Sequence, residues 1–266
     1  MNLPIRLAWR YAWTRRSRSI THLISGISMF VIAAVTAAMI AVLSAFNGIE
    51  SVVTELFGTL DAPLAIVSME GNALPDSTGE WLEAHFGMDS DSPLLEHIAP
   101  VIEDEAVLSW NGNAPQVVKV LAFDSTMLHA ADIERALRGG TWSPEWAQGS
   151  SCVALGLGVR NVLGIGSLNA TEDKASLLFR APIRGKKMAR YKENAFQSER
   201  AFACDVFSVN AEIDRKYVLA PLDFARLLFQ RNESVNRFEI RPVEGSDGDE
   251  IARIISATIT EQNQPW

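Results

Sequence analysis

The hydrophobic pattern is most one-sided near the start. From Leu23 to Phe46, 24 consecutive residues are uncharged and mostly apolar, with no polar stripe at the helical period. A helix rises about 1.5 Å per residue, so such a run exceeds the ~30 Å hydrocarbon core of a bilayer. The apolar region of an export signal is shorter, typically ~7–15 residues. A soluble core helix of this length would carry some polar positions. The pattern predicts a retained transmembrane helix over residues 21–47. Ala33, Ala37 and Ala41 recur four apart, as do Ala34 and Ala38. Small residues at that spacing let a second helix approach closely in lipid, although alanine is also simply a good helix former. Ahead of the span, Ile5, Trp9 and Trp13 form one row and Arg6 and Arg10 another. Residues 1–20 are therefore expected to form a short helix in the cytoplasmic membrane interface.

Beyond Asn47-Gly48 the pattern alternates between short apolar strands and amphipathic helices. "LAIVSM" reads as a strand and "DSTGEWLEAHF" as a capped helix with Trp81, Leu82 and His85 at helical spacing. Two extended runs flank Asn111-Gly112-Asn113 and predict a hairpin. "STMLHAADIERALRGG" reads as one helix ended by two glycines, and "LGVRNVLGIG" as a short glycine-bounded helix. "SCVALG", "KASLLFRAP", "RAFACDVFSVNAEI", "RKYVLAP" and "VNRFEIRP" read as strands. In "LDFARLLFQ" the residues Phe224, Leu227 and Leu228 share a helical face. Ile251, Ile254, Ile255 and Ile259 do the same in the last helix. The mixed order, without strict βαβ repetition, indicates an α+β class.

Charge adds direction. The net charge is −8, yet no acid precedes Glu50 and five arginines do: Arg6, Arg10, Arg15, Arg16 and Arg18. A basic nose on an acidic body speaks against nucleic-acid binding, which needs a broad basic face. It fits residues held beside anionic lipid, with the N-terminus cytoplasmic and the rest outside. Within the acidic body one stretch is basic: Arg180, Arg184, Lys186, Lys187, Arg190, Lys192 and Arg200. Flanked by strands and too polar for a core, residues 181–198 are expected to form a long exposed hairpin or loop. It reads either as a solvated loop or as an arm for an acidic partner, with Ile183 and Met188 as apolar contacts. Cys152 and Cys204 lie in strand-like stretches and read first as two buried small hydrophobes. A disulfide is the alternative if that part is extracytoplasmic.

Catalytic chemistry finds no support in the sequence. There is no phosphate-binding G-x-x-x-x-G-K-[ST] loop, and in "GLGVRNVLGIG" Asn161 stands where a dinucleotide fingerprint needs its third glycine. That stretch reads as a helix-packing turn. His22, His85, His97 and His129 are scattered, without metal-ligand spacing. The acids Asp89 and Asp91, and Asp247, Asp249 and Glu250, lack calcium-loop spacing. Neither an enzyme, nor a metal, nor a cofactor is indicated.

Several motifs in order resemble one family. "ISGISMF" leading to "VLSAFNGIE", through Leu43, Ser44, Asn47, Gly48 and Glu50, is similar to the first span of lipoprotein-releasing ABC transporter permeases. These are the LolC and LolE type of the MacB/FtsX-like superfamily. "APVIEDEAVLS", "LRGGTW" and "VALGLGVRNVLGIGS" resemble later segments of that family. So does "FSVNAEIDRKYVLAPLDFARLLF", through Glu212, Asp214, Pro221, Leu222 and Ala225. The resemblance implies an inner-membrane permease subunit with one N-terminal transmembrane helix and a two-subdomain mixed α/β periplasmic domain. A βαββαβ-like module would comprise residues 48–137 and 216–262. A β-rich inserted subdomain would comprise residues 138–215 and carry a hook-like loop at 181–198. Pro182, Ile183, Arg184, Lys186, Lys187 and Met188 would then contact a periplasmic lipoprotein carrier resembling LolA. Ala33, Ala37 and Ala41 would pack against partner helices. Further partners implied are a separate ATPase subunit, a second permease subunit and the lipid membrane. Family members continue with three more spans, whereas this sequence stops at "EQNQPW", where a second span is expected. A fragment and a truncated protein are both compatible with that. A MacB- or FtsX-like permease with another periplasmic partner is the alternative, and a single-span anchored binding module is a third.

Overall fold

The computed structural model describes residues 20–57, 60–68, 73–90, 93–131, 133–139, 142–144, 152–166, 176–183 and 195–261. Two compact units divide the chain, Met1–Thr54 and Glu55–Trp266.

In the first unit, helix α1 (Ile20–Phe57) runs for 38 residues. Its segment Leu23–Ile49, 27 residues of mean hydropathy 2.5, is long and apolar enough to cross a membrane. All side chains of that segment are exposed, Met29 by 76% and Phe30 by 74%. Such a surface suits hydrocarbon far better than water. The helix does not end near Asn47-Gly48, where the sequence reading stopped it, but continues to Phe57. A mid-helix glycine costs only about 1 kcal/mol relative to alanine, which the helical residues after it offset. The expected interfacial helix, apart from Ile20, lies outside the described residues.

The second unit is built on an eight-stranded sheet. Its strands are β1 (Leu64–Val67), β3 (Leu95–Ser109), β4 (Gln116–Phe123), β5 (Cys152–Gly156), β6 (Ser176–Pro182), β7 (Phe196–Phe207), β8 (Tyr217–Pro221) and β10 (Arg237–Pro242). Their order is β1-β10-β3-β4-β8-β5-β7-β6. A minor sheet pairs β2 (Leu74–Pro75) with β9 (Ser234–Val235). The helices are α2 (Ser77–Phe86), α3 (Thr126–Ala130), α4 (Leu157–Leu163), α5 (Ala211–Lys216), α6 (Leu222–Phe229) and α7 (Gly248–Glu261). The mixed α/β body behind one apolar helix agrees with the class read from the sequence.

Strand β3 organises the sheet because it is long enough to serve two neighbours on one edge. Residues Leu95–Val101 pair with β10, and Val107–Ser109 pair with β6. The opposite edge pairs with β4, so the ladder β3-β4-β8-β5-β7-β6 returns to β3 and closes. Within the β3–β4 connection the Asn113 amide donates to the Trp110 carbonyl at 2.9 Å, and the central residues Asn111 (φ 49°) and Gly112 (φ 76°) are both left-handed, as a type I′ turn requires. Strand alternation then sorts the side chains. Val118, Val120, Ala122, Val153, Leu155, Phe179, Val218 and Ala220 face the enclosed core, which α6 fills with Phe224, Ala225 and Leu228. Phe179 and Phe224 meet edge to face at 5.2 Å. Leu121, Phe123, Ala154 and Leu219 face a second cluster with Met127, Ile133 and Trp142.

Three local readings are corrected. "STMLHAADIERAL" is not one helix: α3 ends at Ala131, which is extended, and a separate 3-10 turn covers Ile133–Arg135. Met127, Ala131, Ile133 and Ala136 are all buried, and at about 100° per residue one helix would scatter them around its circumference. The strand expected through "SVNAEI" stops at Phe207, because Asn210 accepts the amides of Glu212 and Ile213 and caps α5. Ile254, expected on the buried side of the last helix, is 39% exposed, and Leu227 is 58% exposed although Phe224 and Leu228 beside it are buried. Residues 138–215 supply β5, β6 and β7 to the sheet that β3 and β4 also build, so backbone pairing runs across the expected subdomain boundary.

The cysteines are also corrected. Cys152 and Cys204 form a disulfide, Cα atoms 5.8 Å apart, across the parallel pair β5–β7. The register advances there, with Val153 opposite Ala203 but Ala154 opposite Asp205. Cys204 is thus the extra residue of a bulge, a device that re-aims a side chain. Nearby, the Trp142 indole N–H donates to the Cys152 carbonyl at 3.0 Å, and the Asp205 carboxylate accepts the amides of Gly139 and Trp142. The "LRGGTW" motif is therefore tied to the bulge. Cys204→Ala is expected to lower stability by about 2–4 kcal/mol. A urea midpoint that drops in the variant, and that dithiothreitol lowers only in the parent, would bear this out.

Candidate functional site

Two places emerge, one anticipated from the sequence and one not. The first is the end of the β6–β7 hairpin. Its register runs from Ser176 opposite Phe202 to Pro182 opposite Phe196, and the Ile183 amide donates to the Ala195 carbonyl at 2.9 Å. Strand pairing thus reaches both ends of the expected hook, and Pro182 belongs to β6 rather than to a loop. Pro182 is exposed, Ile183 half-buried and Phe196 exposed. Arg180 and Arg200 are exposed on the same hairpin. Arg184, Lys186, Lys187 and Met188 lie outside the described residues. The structure therefore brings together Pro182, Ile183 and the two ends of the basic segment. On α1, Ala33, Ala37 and Ala41 are exposed, and no described side chain covers them.

The second place is a charged cleft of about 560 Å³ in the second unit. Arg237 and Glu239 are two apart on β10 and so leave the same face of the strand. Arg237 Nε donates to Glu239 Oε1 at 2.5 Å and Nη1 to Glu103 Oε2 at 2.7 Å, while Nη2 reaches Asp61 Oδ1 at 3.5 Å. Three carboxylates share one guanidinium. Glu239, only 1% exposed, uses its other oxygen to accept the Ala62 amide at 3.0 Å. Glu103 Oε1 accepts from the Tyr217 hydroxyl at 3.1 Å and from Lys119 Nζ at 3.3 Å. Leu60, buried in the cluster of Val101 and Leu121, completes the fastening of residues 60–63 to the sheet.

Environment sets the protonation. Burial raises Glu239 and Asp61 above the ordinary carboxylate range, against the opposing pull of Arg237. Burial would raise Glu103 too, but the hydrogen bond and charge of Arg237, with Tyr217 and Lys119, bring it below its ordinary value. Burial, then Glu103, raises Tyr217. Sequence reasoning missed this cleft, although the Arg-x-Glu spacing in "RFEI" marks an opposite-charge pair on one strand face. Its partners Asp61 and Glu103 are distant in sequence. No group of three or more His, Cys, Asp or Glu suited to a metal occurs among the described residues.

The "GLGVRNVLGIG" segment proves to be a packing turn, as read. A side chain at Gly156 would strike the Asp214 carbonyl, and one at Gly158 would strike Arg215, so the glycines let α4 lie against α5. Gly164, left-handed at φ 72°, ends α4.

No protein-family profile matches the chain, and no curated protein does. Among solved structures, the chain is similar to the periplasmic region of MacB from Actinobacillus actinomycetemcomitans, with TM-score 0.52 and 10% identity, covering 79% of this chain and 86% of that one. The extracellular domain of YknZ, a noncanonic ABC-type transporter from Gram-positive bacteria, matches with TM-score 0.43 and 9% identity over 71% of this chain and 86% of that one. The likeness to MacB is one of fold.

Two stability effects follow from the cleft. Arg237→Met strands Glu239 without its cation and is expected to cost about 3–5 kcal/mol in urea unfolding at neutral pH. Glu103, held low in the fold, contributes stability that is present at neutral pH and lost as pH falls through its folded value. Glu239 and Asp61, held high, contribute in the opposite sense, stabilising in acid and losing this as pH rises through their folded values. Glu103→Gln should therefore be less stable than the parent at neutral pH. The two urea midpoints should converge as pH drops below the ordinary glutamate range.

Proposed function

We propose that the chain is the N-terminal part of a permease subunit of an ABC transporter, with α1 crossing the inner membrane and the second unit in the periplasm. The N-terminus is cytoplasmic in this reading, as the five leading arginines favour. The observation that carries it is the joining, in one chain, of a 27-residue apolar helix to a body with the fold of the MacB periplasmic region. The disulfide supports an oxidising compartment. Hydrolysis of ATP is assigned to a separate subunit, which drives transport mechanically. A second permease subunit packs on the face of Ala33, Ala37 and Ala41.

The cargo in this reading is a lipoprotein or another lipidic molecule withdrawn from the membrane. It rests on the motif resemblance to LolC and LolE. The basic segment 184–192, which lies between β6 and β7 in the sequence, hands it to an acidic periplasmic carrier resembling LolA. A second reading keeps the fold and gives the hairpin another envelope partner, as in a MacB- or FtsX-like permease, and the MacB likeness favours it. A single-span anchored binding module is the third.

Cysteine labelling is expected to find position 120 accessible only from the periplasmic side, and a cytoplasmic result would overturn the orientation. A photocrosslinker at position 187 in living cells is expected to trap a periplasmic carrier. Charge reversal, Lys186→Glu with Lys187→Glu, should reduce that capture at least several-fold. Crosslinks to an outer-membrane or division component would move the assignment to the second reading, and unchanged capture by the reversed variant would remove the arm.

A further inference from the structure

Strand β1 ends the sheet order and pairs on one side with β10. Its other side offers a row of backbone N–H and C=O groups with no strand against it among the described residues. Natural sheets usually guard such an edge by keeping the strand very short, or with charge, proline within the strand, or a bulge. Strand β1 is short, at four residues, but Leu64-Ala65-Ile66-Val67 carries no charge, proline or bulge, and its register with β10 is regular. Leu64 and Ile66 pack on the core, whereas Ala65 and Val67 are exposed on the opposite face, Val67 by 60%. Ala65 stands opposite Glu239 and Val67 opposite Arg237. The open edge is therefore continuous with the charged cleft, which Ala65 helps to line.

The cleft has a sign. Asp61, Glu103, Glu212 and Glu239 line it against Lys119, Lys216 and Arg237, one carboxylate more than the cations. Each cation is paired with a carboxylate of the cleft, Lys119 and Lys216 at 3.3 and 2.9 Å and Arg237 at 2.5 and 2.7 Å, which leaves the balance one carboxylate in excess. Asp61 is different: its side chain is 56% exposed and its 3.5 Å pairing is the longest of the Arg237 contacts. It retains acceptor capacity toward a cation.

We propose that the outer edge of β1 receives an extended, basic polypeptide segment as an added strand, with a Lys or Arg of that segment over the cleft beside Asp61. Main-chain bonds along Leu64–Val67 supply affinity, and the alternate side chains meeting Ala65, Val67 and Asp61 supply selectivity. The inference concerns β1 and does not depend on the transport reading.

The test uses the full chain in detergent and three rhodamine-labelled decapeptides, read by fluorescence polarisation. One alternates Val and Lys, one replaces Lys by Glu, and one repeats the first with alternate backbone nitrogens methylated. The Val-Lys peptide is expected to bind, with the Glu and N-methyl peptides each weaker by about tenfold or more. Val67→Lys places a charged guard on the edge and should abolish binding. Asp61→Asn should weaken the Val-Lys peptide about fivefold and flatten its salt dependence. Both positions are exposed, and thermal melts by circular dichroism are to check that the variants fold. The proposal is overturned if the Val-Lys peptide does not bind, if its N-methyl form binds equally well, or if Val67→Lys leaves binding intact.

Discussion

The second unit depends on β3 having two neighbours along a single edge. Because Leu95–Val101 faces β10 and Val107–Ser109 faces β6, the sheet can both close on itself and extend past the closure to β10 and β1. Closure gives each strand of the ring a neighbour on both sides, although β5 meets β8 over only two residues and β6 meets β3 over three. It also creates an interior, and the fold fills it with α6, which follows β8 directly at Pro221–Leu222. With no intervening loop, the last residue of the strand sets the direction of the helix that plugs the ring.

Where the sheet leaves the ring, electrostatics takes over from packing. Arg237 and Glu239 lie on the strand that bridges the closed part to β1, and they bind the segment 60–62 that leads into it. A guanidinium can serve three carboxylates because it offers five donors in one plane. The arrangement is directional: Glu239 and Glu103 are held closely, Asp61 loosely. The charges that fix the segment thus also leave one carboxylate facing outward.

Much of this was legible along the chain. The apolar run, the Asn111-Gly112 hairpin, the glycine packing turn and most strands and helices are local patterns, written in period and turn chemistry. The failures share a cause. The continuous helix after Asp124 gave way because its apolar residues serve two different packing directions, which periodicity within one segment does not reveal. Asn210 was read as a strand residue although an asparagine three positions before Ile213 is a good cap. The disulfide and the charged cleft join residues far apart in sequence. Cys204 reaches Cys152 through a bulge, and Asp61 meets Arg237 only once β1 and β10 are paired. Alternation along each strand gave the burial of its residues, but the identity of a neighbour across the sheet is a property of topology. The flanking strands of the basic segment were legible as well, and β6 and β7 pair up to Pro182 and Phe196.

The pairing of β1 with β10 has a consequence in time. Leu64–Val67 is made before nearly all of the second unit's other strands and its partner Arg237–Ile240 after them, so β1 waits while most of the body is produced. Neither charge nor proline within the strand protects it during that interval, and loop closure over such a span is slow. An uncharged strand without a partner is the form in which chains aggregate. Folding of this body is thus a race between completion of its last strand and capture of its first by another molecule.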